Sequence, residues 1–334
     1  MNISVKQTSI NTGLHRQAGL SLVELMISLT IGLLLLAGIT TLIVQQSSSR
    51  NELEKSSRQI ENGRYAMQLL HDDIQLAGFF GEYTPPISTT YTVPADPCDI
   101  ATSSGWATTP TVPVAIYGYT GAATNPMAAT TCGLSNYMPN TAILIVRRTS
   151  TATTAVSAAV ANTNYLQVSQ CSSVATPFAF GTSGFGLMQK DCLTLAPLRE
   201  YWVNIYYISS CDVCSPSDGI PTLKRVQAGP TATPVTTPLV EGIENMQFDY
   251  GLDNTAPVDG SPDLYTNAPA ANQWVNVMAV RVNLLARNID TTTGYTDTKT
   301  YNLGGAGTVT PGGNYKRHAY SEVTRAINPS GRRE

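Results

Sequence analysis

Four sets of side chains in this 334-residue chain have types and spacings that could do chemistry. Cys211-Asp212-Val213-Cys214 has the spacing of a redox dithiol. Such a site needs its first cysteine at a helix N-terminus after a strand. A β-branched and aromatic run, Tyr201 to Ile208, leads in, but Ser215-Pro216-Ser217-Asp218-Gly219 leads out, which is turn chemistry. A disulfide-clipped loop is therefore expected rather than a redox site or a zinc knuckle. Asp249, Asp253, Asp259 and Asp263, with Gly260, put hard oxygen donors into one loop-bearing stretch, as Ca²⁺ prefers. The twelve-residue EF-hand spacing and its closing glutamate are absent, so an acidic solvated loop is the favoured reading. His71 and His318 are the histidines beyond the N-terminal segment, too few for zinc at the cysteines or for a convincing Ser-His-Asp arrangement. Gly304-Gly305-Ala306-Gly307 follows no strand-to-helix transition and reads as a flexible turn. No catalytic constellation emerges, and an enzyme is not expected. Apart from calcium at the four aspartates, no cofactor is expected either.

The fourth set is a carboxylate at the mouth of an apolar run. Leu25 to Val44 contains no charged residue, and about 20 apolar residues suffice to span a bilayer as a helix. Glu24 stands directly before it, where a charge carries a cost. Gly19, then Leu20, then Glu24 five positions into the following segment resemble the type IV prepilin signature. That resemblance implies a prepilin peptidase cut between Gly19 and Leu20, methylation of the new Leu20 amine, and a subunit-assembly role for Glu24 opposite a neighbour's N-terminal amine. Leu20 stands where the family usually has Phe. An ordinary secretory signal would place its small-residue cleavage site after the apolar run, and Gln45-Gln46-Ser47-Ser48-Ser49 offers none. Lys6 and Arg16, with no acid beside them, suit cytoplasmic retention of residues 1–19.

Composition bounds the remainder. Charged residues make up 13% of the chain and the net charge is −3, so no global field recruits nucleic acid. Between Thr84 and Gln189 the charged residues are Asp96, Asp99, Arg147 and Arg148. Thr, Ser, Ala, Gly and Pro fill that region, favouring short strands and polar loops. The basic tail, Lys316 to His318 with Arg325, Arg332 and Arg333, reads as a solvated strand end. All six cysteines, at 98, 132, 171, 192, 211 and 214, lie beyond the apolar run, as disulfides of an exported head would. Six cysteines allow fifteen pairings and sequence does not choose among them. The working expectation is sequential: Cys98–Cys132, Cys171–Cys192 and Cys211–Cys214.

The helix should continue past the span. Ile60, Gly63, Met67, Leu70, Ile74 and Ala77 form one apolar stripe at helical spacing, with Arg58, Glu61, Arg64 and Asp72 off it. The stripe reads as core packing, and Gly78 and Gly81 should end the helix. Strands are expected at 142–146, 187–195, 201–208, 246–250, 275–284 and 315–327. Long loops are expected around 149–164, 228–238, 254–272 and 290–314.

Pro238 to Gly251, Val277 to Arg287, Tyr320 to Asn328 and Leu76 to Gly81 are together similar to the conserved blocks of PilW-type minor pilins. That likeness implies an α+β fold: a long N-terminal transmembrane pilin helix followed by an antiparallel β-rich head of two sheets. The expected divisions are a leader at 1–19, a helix at 20–81 with its membrane half at about 22–44, and a disulfide-containing head at 82–334. It further implies fimbrium biogenesis and twitching motility, adhesion or DNA uptake. The implied partners are other minor pilins, the major pilin, the inner-membrane assembly platform, prepilin peptidase and a tip adhesin. The implied location is the inner membrane, N-terminus cytoplasmic and head periplasmic, then the pilus tip. A J-type pseudopilin of type II secretion shares the N-terminal features and is the alternative.

Overall fold

The computed structural model describes residues 19, 21–86, 88–107, 111–231 and 233–334. The chain has two compact units, residues 1–53 and 54–334. Among the described residues, the first unit is the opening part of helix α1, Leu22–Gln75. Its apolar side chains from Leu22 to Val44 are exposed. The hydroxyls of Ser28, Thr30, Thr40 and Thr41 donate back to carbonyls three or four residues earlier. No hydroxyl in this run is thus left without a partner, as an apolar medium demands.

The second unit contains the rest of α1 and two large antiparallel sheets. The first sheet has seven strands: β1 Ile116–Tyr119, β2 Ile143–Thr149, β3 Tyr165–Val168, β4 Phe178–Gly181, β5 Leu198–Ser209, β6 Thr222–Ala228 and β7 Val235–Glu241. Strand β5 is its spine. One edge pairs with β2; the other is shared, β3 taking the start of β5 and β6 the remainder. The second sheet contains β8 Ile243–Leu252, β9 Leu264–Thr266, β10 Val277–Arg287 and β11 Arg317–Arg325, in the order β9-β8-β10-β11.

One residue joins the sheets. Glu241 ends β7, Ile243 begins β8, and Gly242 between them has φ +75°. A Cβ there would lie 2.8 Å from the Arg287 carbonyl oxygen, so the corner requires glycine in both conformation and space. The Gly242 amide donates to Pro221 beside the first sheet, and its carbonyl accepts from Arg287 of the second, each at 2.8 Å.

The stripe on α1 packs between the sheets. Ala66, Met67, Leu70 and Ile74 share a core with Leu144, Val146, Tyr206 and Ile208 of the first sheet and Phe248, Val280, Val282 and Leu284 of the second. Burying each large apolar side chain there contributes about 1.5–3 kcal/mol. Alternate residues of the first sheet, Ile143, Ile145, Val203, Ile205 and Tyr207, face a second core. Phe80, Met127 and the Cys98–Cys132 disulfide cover that face. Burial on both faces explains the unbroken apolar run at 142–146.

Several expectations need correction. Helix α1 stops at Gln75, not at Gly81. Gly78, at φ +69°, turns the chain so that its amide donates to Arg147 of β2. Residues 187–195 are no strand; one bridge joins Met188 to Leu195. Cys192 sits at φ +53°, and Asp191 accepts the amides of Leu193 and Thr194, which makes a turn instead. The supposed loop at 228–238 contains the start of β7, an edge strand, where Pro238 is tolerated. Strands β1, β3, β4 and β6 were not anticipated, and β9 falls within the supposed loop at 254–272.

Candidate functional site

Ser21 precedes α1, and Glu24 lies in its first turn. The Ser21 amide donates to the Glu24 carboxylate at 3.3 Å. Ser-x-x-Glu is the capping-box spacing, so the carboxylate satisfies one otherwise orphaned amide and sits favourably at the positive end of the helix dipole. That signature was legible in the sequence and was missed. Glu24 is exposed, with the apolar span beginning immediately after it. Gly19 is exposed; Leu20, the other half of the expected cut site, lies outside the described residues.

In the second unit, polar groups seat the later turns of α1 on the sheets. Asp73 is buried in the helix stripe. Its Oδ1 accepts from Arg148 Nε at 2.6 Å, and its Oδ2 from Asn204 Nδ2 at 2.9 Å and the Tyr206 hydroxyl at 3.0 Å. Three donors from two strands thus meet one helical carboxylate. Burial, with the Asp73 charge second, pushes the Tyr206 hydroxyl well above its ordinary pKa, which keeps it a donor. Gln59, also buried, donates to the carbonyls of Ala286 and Lys316. His71 contacts Thr324, Glu322 and Gln75 and is engaged locally. None of the buried polar anchors had a sequence signal beyond its position among apolar neighbours.

The four aspartates considered for calcium do not converge. Asp249 accepts from the Gly305 amide at 2.8 Å and from Asn283 at 3.3 Å. Asp253 accepts from Gly260 and faces Arg333 at 3.3 Å. Asp259 caps Ser261, and Asp263 caps Asn254 and Thr255. The glycine run at 304–307, read as a flexible turn, is instead fixed over Asp249. Among the described residues, the cluster with metal-ligand spacing is Asp96, Cys98 and Cys132, whose two sulfurs are already joined.

The cysteines pair in sequential order: Cys98–Cys132, Cys171–Cys192 and Cys211–Cys214, with none free.

A glycine junction, a carboxylate in the first turn of an exposed apolar helix long enough to cross a membrane, and a two-sheet disulfide-bearing head are the features expected of a pilin. Comparison with known families agrees. Residues 205–328 match the family of type IV pilus-assembly protein W, and residues 14–40 match the prokaryotic N-terminal methylation motif. Together these matches support a PilW-type pilin associated with the type IV pilus. No curated protein and no solved structure matches the chain.

Proposed function

We propose that this chain is a minor pilin that primes type IV pilus assembly together with other minor pilins and sits at the fibre tip. The match over residues 205–328 carries the reading, because the N-terminal motif alone does not separate pilins from pseudopilins. In this reading the chain is cut after Gly19 by prepilin peptidase and methylated on Leu20. It waits in the inner membrane with its head in the periplasm, then enters the fibre. There it supports twitching, adhesion or DNA uptake through protein contacts, with the major pilin, the assembly platform and a tip adhesin as partners. It needs neither catalysis nor a cofactor.

Glu24 is the docking group: its carboxylate exchanges the Ser21 amide for the N-terminal amine of a neighbouring subunit. Glu24→Ala should insert and be cut after Gly19, while surface pili and twitching fall sharply. Normal pilus number in that strain would overturn the docking role. A deletion strain separates the alternative. Loss of pili with intact type II secretion supports the minor pilin; lost secretion with normal pili supports a J-type pseudopilin.

A further inference from the structure

The Cys211–Cys214 loop contains an arrangement that a structural clip does not require. Lys224 of β6 is buried, 7% exposed. Its Nζ donates to the Asp212 carbonyl at 3.0 Å and lies 3.6 Å from Cys214 Sγ. Among the described residues no carboxylate pairs with it. The nearby Asp218 carboxylate is occupied by the amides of Asp212, Val213 and Ile220. A buried ammonium without a counter-ion is costly. Reduction of the disulfide would create the missing anion next to it.

We propose that Cys211–Cys214 is a thiol-exchange site, in which Lys224 stabilises the Cys214 thiolate of the reduced form and the co-reactant is a small monothiol of the glutathione class. Cys214 is half-buried whereas Cys211 is fully buried, so an external thiolate attacks Cys214 Sγ. The S–S bond breaks, a mixed disulfide forms on Cys214, and the Cys211 sulfur leaves and takes a proton. A second thiolate attacks the external sulfur of that mixed disulfide. Cys214 then leaves as a thiolate beside Lys224, and a leaving thiol of low pKa leaves faster. Two external thiols become one disulfide, two electrons pass to the cysteine pair, one proton stays on Cys211 and one goes to the medium. Among the described residues neither of the other disulfides has a lysine ammonium at its sulfurs; Cys192 Sγ meets the backbone carbonyl of Lys190. The proposal is independent of the position of the chain in a pilus.

The test equilibrates the detergent-solubilised full chain with reduced and oxidised glutathione in graded ratios, traps thiols by alkylation, and maps them by mass. Cys211–Cys214 should open at a lower proportion of reduced glutathione than Cys98–Cys132 or Cys171–Cys192. Lys224→Met should raise the midpoint ratio of reduced glutathione squared to oxidised glutathione at that pair. The gap from wild type should widen as pH rises and reach about tenfold above both thiol pKa values, since an opposite charge at this range shifts an acid's pKa by about one unit or more. Lys224→Arg should restore part of the effect. Wild-type opening of Cys211–Cys214 only together with the others, or an unchanged midpoint in folded Lys224→Met, would overturn the proposal. Should the methionine variant fail to fold, Lys224→Gln takes its place in the same titration and is read in the same way.

Discussion

The carboxylate of Asp73 on helix α1 and the guanidinium of Arg148 on β2 meet at 2.6 Å inside the head, and Asn204 and Tyr206 of β5 complete the ring of donors. The pair fixes the rotation of the helix against the first sheet. Asp73→Ala leaves one part-buried cation and two buried donors without their acceptor. Removing one partner of a buried pair typically costs about 3–5 kcal/mol. Urea unfolding of the full chain in detergent should show a loss of that size. A loss below about 1 kcal/mol would show that the network rearranges around water.

Gly63 carries the next prediction. A Cβ at this position would stand 2.2 Å from Cε2 of Tyr320, and the Tyr320 hydroxyl donates to the Ile60 carbonyl. Gly63→Ala should destabilise by about 1–3 kcal/mol, as overpacking does, although alanine is the better helix former. Tyr320→Ala in the same chain should remove the clash. A double-mutant cycle without coupling between the two positions would contradict this close approach.

The disulfides should rank by loop length. Cys98–Cys132 and Cys171–Cys192 close separations of 34 and 21 residues, whereas Cys211–Cys214 closes three. Chain-entropy arguments give about 3–4 kcal/mol for each of the first two and under about 2 kcal/mol for the third. Paired Cys→Ser variants, compared by thermal unfolding, should follow that order.

Acid should weaken one surface tie. Arg199 Nη2 lies 2.8 Å from Glu82, and its hydrogen bond, partly opposed by burial, holds the Glu82 carboxyl below its ordinary value. A depressed carboxyl stabilises the fold above the unfolded pKa and loses that contribution as pH falls through the folded one. Wild type should therefore exceed Glu82→Gln by about 0.2–1 kcal/mol near neutral pH, the range for a solvent-screened pair. The difference should close as pH drops below about 4.5. A constant difference from pH 7 to 3 would assign the effect to packing.

The legible parts of this molecule were those with a strong period or a covalent signature. The stripe from Gly63 to Ile74, the alternation in β8 and β10, and the run at 142–146 each announced an element through burial on a regular face. The spacing at Gly19 and Glu24 announced the N-terminal motif. What sequence concealed was set by distant partners. β3 and β6 are short or polar and become strands because β5 offers them a long edge, and β4 then pairs with β3. Asp73 looks like any helical acid until Arg148, Asn204 and Tyr206 arrive from strands more than 70 residues away in sequence. The dependence of Asp249 on Gly305, and of Cys214 on Lys224, is likewise a product of the fold. Extrapolating the helix to Gly81 ignored that the chain at Gly78 is captured by the β2 backbone.

Gly242 has a mechanical consequence. In the proposed role a fibre subunit is loaded in tension, and this chain connects its sheets through a single α-carbon that is also stitched to both by its own amide and carbonyl. There is no slack segment to stretch before the sheets feel the load. A pull on either sheet is transmitted to the other at once, in shear across the hydrogen bonds to Pro221 and Arg287, so the two sheets should yield together as one mechanical element rather than peel apart in sequence.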